Sequence, residues 1–243
     1  PPRSTPSNSS AASDVYKRQV LYSAVCMNER AVEEAVKLAR KGYGPNHCLI
    51  GFSVSEIHNL RNTNQTIPEA LVSFENNVKR LQDAGIGITG GLVAAFGCPY
   101  EGRNSLERAI ELLSKQRDLG VKEYCIGDHT NEADPEQVYE WFTTMKKELP
   151  DCTFIAHFHD NRGGAMANAL AALLAGITHF DSSLGGTGGQ PAAFKGWAVY
   201  SRGEGGNIST EDMVNMFTAM GSETGLDLDK VLEAGRLFED MLG

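Results

Sequence analysis

The stretch Thr153–Asp160, TFIAHFHD, decides how the chain is read. Side chains alternate sides along an extended strand, so Thr153, Ile155, His157 and His159 fall on one face. Two imidazoles two residues apart, at the C-terminal end of an apolar strand, form a two-toothed ligand for a divalent metal. The competing reading is a strand with two polar residues near its mouth. Asp160 and Asn161 follow, and Gly163-Gly164 then opens an alanine-rich helix.

Outward from this strand the same strand-then-helix grammar repeats. On the N-terminal side, Val20–Val25, His47–Ser53, Ile86–Ala95 and Val121–Gly127 read as short apolar strands, the last ending in Asp128. Helices are expected at about Glu29–Lys41, from Thr66 to near Gly85, from Ser105, and from Asp134-Pro135 to Leu149. Thr66 to Glu69 (TIPE) has the form of a capping box with proline in the first turn, and Asp134-Pro135 follows the same N-cap and N1 logic. Phe96–Asn104 reads as a polar loop. On the C-terminal side come a helix over Gly163–Ala175, a strand over Ile177–Ser182, and a glycine-rich loop from Leu184 to Gly206. Ser209 caps the next helix, and a final amphipathic helix runs from about Leu228 to Leu242. Six βα units about 30 residues apart predict a parallel sheet with right-handed crossovers. A doubly wound sheet and a (β/α)8 TIM barrel both satisfy that pattern. No strand enters its helix through G-x-G-x-x-G, and Gly185–Gly189 lacks the Lys and Ser/Thr of a P-loop. The barrel is favoured, incomplete because six units cannot close eight strands, and followed by C-terminal helices.

Composition narrows the class. Apolar residues make up 41% and charged residues 22% of the chain, as in ordinary globular proteins. No apolar run reaches the ~18 residues that a membrane span needs. The net charge of −9 comes without a basic stripe, which argues against nucleic acid or an anionic membrane as partner. Five cysteines without CxxC pairing suit free thiols in a reducing cytoplasm. Residues 1–19 are Pro/Ser-rich and expected to be disordered. Their ending, DVYKRQ, resembles translated sequencing adapter, so the segment reads as non-native and residues 20–243 as the partial barrel domain.

Four pieces carry a resemblance: FGCPYEG (96–102), IGD (126–128), FHD (158–160) behind His157, and FDSSLGGTGGQP…GGNISTED (180–212). In that order they resemble the 3-hydroxy-3-methylglutaryl-CoA lyase branch of the metal-dependent barrel lyases and Claisen-type synthases, over about residues 20–240. The resemblance implies that His157 and His159 are metal ligands, joined by the amide oxygen of Asn207. It implies that Asp128, with His157, moves the substrate hydroxyl proton. The glycine-rich segment, with Gly186, Gly188, Gly189 and Gln190, would be the loop over an acyl-CoA. Such a mixed N/O site suits Mg²⁺ or Mn²⁺. The activity implied is cleavage of a 3-hydroxyacyl-CoA at a carbon–carbon bond, with an acyl-CoA or related small molecule as partner and a homodimer as assembly. A related 2-oxo-acid aldolase or condensing enzyme, and a metal-binding barrel without catalysis, are the alternatives.

Three departures from the family pattern qualify what is expected. Its opening strand carries an Arg-Asp pair, whereas Arg117-Asp118 here sits in a helix; the first two βα units are read as missing from a truncated gene, with weak metal binding and poor turnover expected. The loop position of the family's catalytic cysteine is Gln190, and an amide is no substitute for a thiol as proton donor. His129 stands where the family has threonine, leaving a third ligand, a substitute acid or a surface-loop histidine as its readings. Cys98 is expected to pack in its loop, Cys48 and Cys125 in the core, and His47 and His179 at the remote ends of strands. Glu56 and His58 are candidate pocket residues, and Asp181–Ser183 either lines the pocket or caps a strand. Lys195 and Arg202 are candidate contacts for CoA phosphates or simply solvated charges.

Overall fold

The computed structural model describes residues 21–189 and 206–242. The chain opens with β1 (Ser23–Val25), α1 (Glu29–Arg40), β2 (His47–Leu49), β3 (Phe52–Ser53), α2 (Glu56–Thr63) and α3 (Ile67–Asp83). It continues through β4 (Gly87–Val93), β5 (Gly97–Cys98), β6 (Gly102–Arg103), α4 (Leu106–Asp118), β7 (Glu123–Asp128) and α5 (Pro135–Glu148). Then follow β8 (Thr153–Phe158), α6 (Ala165–Leu174), β9 (His179–Asp181), a 3₁₀ turn (Leu184–Gly186), α7 (Thr210–Ala219) and α8 (Leu228–Leu242).

The main sheet runs β1-β2-β4-β7-β8-β9, with β3 also paired to β4, and every pairing in it is parallel. Spatial order follows chain order without the reversal that defines a doubly wound sheet, which decides between the two folds in favour of a barrel wall. Among the described residues β1 and β9 do not pair with each other, so the wall is a parallel half-barrel. Strand β8 shows how pattern becomes packing. Phe154, Ala156 and Phe158 are buried in the core, while Thr153, Ile155 and His157 on the other face stay partly exposed. That is the period-two split of a barrel strand, with one face toward helices and the other toward the interior.

Helix starts follow the sequence closely. Asn28, Thr66, Ser105, Asp134 and Ser209 each accept a backbone N–H of the first turn, and Thr66 with Glu69 forms both arms of a capping box. Replacing Thr66 by alanine removes the side-chain arm, Glu69 N–H to Thr66 Oγ1, while the backbone N–H of residue 66 keeps its bond to the Glu69 carboxylate; the loss is expected to cost about 1 kcal/mol, read as a lower urea midpoint at unchanged m-value. A midpoint equal to that of the parent would mean that the side-chain arm contributes nothing. Helix α6 has no side-chain cap from Gly164; instead Asp160 Oδ1 accepts the Ala165 N–H at 2.9 Å.

Three expectations change. His47–Ser53 is two strands rather than one, because β4 passes from β2 to β3 as its partner. At that passage, Gly91 exchanges hydrogen bonds with the Gln116 carboxamide of α4 (3.1 and 3.2 Å). Phe96–Asn104 contains a two-rung hairpin, β5–β6. Glu56 and His58 lie on α2, capped by Ser55. The expected disorder of residues 1–19, the glycine-rich loop beyond Gly189, Lys195 and Arg202 lie outside the described residues. No helix among the described residues is long and apolar enough to cross a membrane.

Candidate metal centre

The ends of β7, β8 and β9 form one rung, in which Gly127 pairs with His157 and His157 with Asp181. Asp181 Oδ2 stands 3.0 Å from His157 Nδ1. A carboxylate there accepts the Nδ1–H, so the lone pair of His157 is left on Nε2. Burial raises the Asp181 carboxyl, but the hydrogen bond and charge of His157 outweigh it and hold the group below the ordinary carboxylate value. His157 Nε2 faces His159 Nε2 at 3.1 Å. His159 is buried, and its Nδ1 has no partner. Burial, followed by the neighbouring His157, pushes His159 down to about 3, so at neutral pH its imidazole is uncharged.

Asn207 reaches the same place from the far side of the glycine-rich segment, through an antiparallel bridge to His159. Its Nδ2 donates to Thr187 O at 2.8 Å, which leaves Oδ1 buried without a partner. Gly186 and Gly188 support this residue. A Cβ on Gly188 would stand 2.5 Å from Asn207 Nδ2, so only a bare backbone admits the amide. Gly189 ends the described stretch, and Gln190 falls outside it.

His129 joins the cluster. Its ring centroid is 4.8 Å from that of His157 and 5.1 Å from that of His159, and ligating atoms of the three lie within 4.8 Å of one another. The surface-loop reading of this residue is therefore corrected: the turn after Asp128 folds the ring inward over Gly127, where a Cβ would come within 2.0 Å of it. Burial above all, and then His157 and His159, hold His129 well below the usual histidine range.

Asp128 has a different setting. It is fully buried, and its two oxygens accept the N–H groups of Glu132 (3.0 Å) and Ala133 (3.1 Å). Burial raises its carboxyl, and those hydrogen bonds oppose the rise. Its oxygens belong to neither of the two ligand-distance groups found among the described residues. The second of those groups joins Cys125 to His157 and Asp181, but burial pushes the Cys125 thiol up, which disfavours the thiolate that a metal needs.

The remaining candidates find structural partners. Cys98 is buried with Sγ 3.0 Å from Ser55 Oγ. Glu56 accepts the Ile67 N–H at the start of α3. His58 is buried against Ser53 Oγ at 2.7 Å, His47 bonds Thr89, and His179 is exposed. Asp181, left between pocket and cap by sequence reasoning, is the orienting partner of His157. Laying 153–158 beside 179–181 as neighbouring parallel strands is the signal that finds it.

The donor set can be tested against a metal by distance. Two nitrogens held about 2.1 Å from one ion are about 3.0 Å apart at a right angle and about 3.4 Å apart at a tetrahedral angle. The observed 3.1 Å falls between these values, so both nitrogens could meet one ion. Two imidazole nitrogens and an unpartnered buried amide oxygen then fit a hard or borderline divalent ion that completes its shell with further oxygens.

Comparison with known proteins adds the following. A family model described as HMGL-like matches residues 5–238. A hydroxymethylglutaryl-CoA lyase of Bacillus subtilis is 34% identical over 227 residues, covering 93% of this chain and 72% of that protein. The mitochondrial hydroxymethylglutaryl-CoA lyase of Rattus norvegicus is 34% identical over 214 residues, covering 88% of this chain. The chain spans 62% of that relative's length. A solved HMG-CoA lyase from Acinetobacter baumannii, in complex with coenzyme A and 3-methylmalate, superposes with a TM-score of 0.81 at 32% identity, covering 92% of this chain and 69% of that one.

Proposed function

Because the chain belongs to the HMGL-like family, we propose that it is a divalent-metal-dependent carbon–carbon lyase acting on a 3-hydroxyacyl-CoA of the 3-hydroxy-3-methylglutaryl-CoA type. The observation that carries this reading is the facing pair of ring nitrogens, 3.1 Å apart, with Asp181 behind one of them and the unpartnered Asn207 Oδ1 bridged to the other residue.

In this reading His157 Nε2, His159 Nε2 and Asn207 Oδ1 hold Mg²⁺ or Mn²⁺. When bound there, the ion would supply a lowered pKa at a substrate hydroxyl and polarisation of the oxygen that becomes a ketone. Asp181 keeps the His157 proton on Nδ1, so that Nε2 keeps its lone pair. Asp128 is assigned to moving the hydroxyl proton beside His157, whose two ring nitrogens are themselves engaged by the ion and by Asp181, and it also fixes the turn 129–133 through its two backbone hydrogen bonds. Loss of that proton breaks the carbon–carbon bond, and the departing acyl-CoA enolate takes one up. Gly186, Gly188, Gly189 and Gln190 are assigned to the substrate side, where the bare backbone allows close approach. A cytoplasmic location is supported by the five free thiols. A homodimer is supported by the exposed apolar residues Leu237, Met241 and Leu242 of α8.

Incubating the protein with Mn²⁺ and a panel of 3-hydroxyacyl-CoAs is expected to release a shorter acyl-CoA and a ketone-bearing product. Turnover confined to 2-oxo acids would overturn the lyase reading in favour of a condensing or aldol enzyme. Metal binding without any turnover would favour a non-catalytic barrel.

A further inference from the structure

We propose that His129 is not a third metal ligand but a fixed Nε2–H donor beside the metal pair, presented to an oxygen of the substrate or of a bound water. This rests on the metal-site reading above and gives a role to a residue for which the sequence alone left three readings open.

The tautomer is chosen by the backbone. The Ala94 N–H donates to His129 Nδ1 at 3.2 Å. A ring nitrogen that accepts a hydrogen bond carries no proton, so the neutral imidazole must carry it on Nε2. The opposite choice is made at His157, where Asp181 holds the proton on Nδ1. An N–H cannot coordinate a cation, yet it can donate to an oxygen where negative charge develops. The three imidazoles thus divide into a facing pair of ligands and one donor. A neutral imidazole N–H used in this way is an established route to polarising a carbonyl or stabilising an enolate.

The donor that sets the tautomer is itself locked. Ala94 has a φ of +47°, a left-handed conformation that alanine rarely adopts. Such a residue persists only where its surroundings over-determine it. Here the Asn104 amide donates to both Ala94 O (2.8 Å) and Ala95 O (3.0 Å), and the Ala95 N–H donates to Gly127 O (2.8 Å). The same Gly127 is the floor of the His129 ring, with no room for a Cβ. Turning the ring over would put a carbon where Nδ1 is and leave the N–H of Ala94, itself buried, without its acceptor. Strained backbone, amide clamp and glycine floor together hold one ring in one orientation.

The test has two readouts that do not depend on turnover. Long-range ¹⁵N–¹H correlation spectra of the chelated wild-type protein are expected to show His129 protonated on Nε2. Titration of His129→Leu with Mn²⁺ is expected to give an affinity within about 3-fold of wild type, against the loss of about 100-fold or more that removal of a ligand brings. If substrate is turned over, His129→Leu lowers kcat by about 100-fold with little change in KM, and His129→Gln, which keeps an N–H at similar reach, recovers part of it. An Nδ1–H tautomer, or a loss of metal affinity of 10-fold or more in His129→Leu, would overturn the proposal. Should the leucine variant fail to fold, the wild-type spectrum decides. Absence of lyase activity in the wild type would sink the lyase reading while leaving both turnover-independent readouts decisive for His129.

Discussion

Replacing His157 by alanine is expected to lower Mn²⁺ affinity by more than about 100-fold, with the circular dichroism of the chelated protein unchanged. The magnitude follows from what the residue does. Removing even the group that orients a ligand costs about 10–100-fold in metal affinity, so removing the ligand itself costs at least as much. His157 is also the hub of the cluster: it pairs with Asp181 behind and faces His159 in front. The fold has less at stake, because the ring lies on the interior face of β8, whereas the core is built by Phe154, Ala156 and Phe158 on the other. Calorimetric titration with Mn²⁺ measures the effect. Unchanged affinity would remove the metal assignment and, with it, the lyase reading. Asp181→Ala is the internal control, with an expected loss of about 10–100-fold.

In chelator, the wild type is expected to lose about 2–3 kcal/mol more stability between pH 6.5 and pH 4 than His58→Gln does. His58 is fully buried on α2, its Nε2 lacks a partner, and burial pushes it down to about 4. In the unfolded chain the same histidine takes up a proton near pH 6.5. Its folded value is depressed and its charged form is the protonated one, so the unfolded state binds the extra proton. Stability is therefore whole above about pH 6.5 and falls with pH until about pH 4, where the folded state protonates too. Every tenfold difference in proton affinity between the folded and unfolded chain corresponds to about 1.4 kcal/mol, which sets the size. His159, at about 3, and His129 push in the same direction and remain in both proteins, so the difference reports His58 together with the minor effect of its charge on His129. Urea unfolding at stepped pH measures it. Parallel pH profiles for the two proteins would show that His58 is no acid trigger.

Much of this was legible in the residues. The alternation in TFIAHFHD places both histidines at the end of a strand whose other face is core, and the caps at Thr66, Ser105, Asp134 and Ser209 mark helix starts from local chemistry alone. What escaped depends on partners distant in the chain. His129 reads as a loop histidine because nothing near it in sequence tells that Ala94, 35 residues earlier, supplies an N–H and that Gly127 leaves room for the ring. The split of His47–Ser53 is equally invisible, since it comes from β4 changing neighbours beside a carboxamide from α4. Helix α2 is short, and its polar face carries no long apolar period to announce it.

The rung Gly127–His157–Asp181 has a consequence for assembly of the site. The seat of one imidazole, the ring assigned to the metal and the carboxylate bonded to it sit at the same height on three adjacent strands. Slippage of β8 by a single residue would turn His157 outward and part it from both neighbours at once. Loss of the centre on misfolding is thus all-or-none, and a chain with the right helices but a misaligned wall would be blind to metal. Manganese uptake can therefore serve as a gauge of strand alignment during refolding, more discriminating than any measure of helix content.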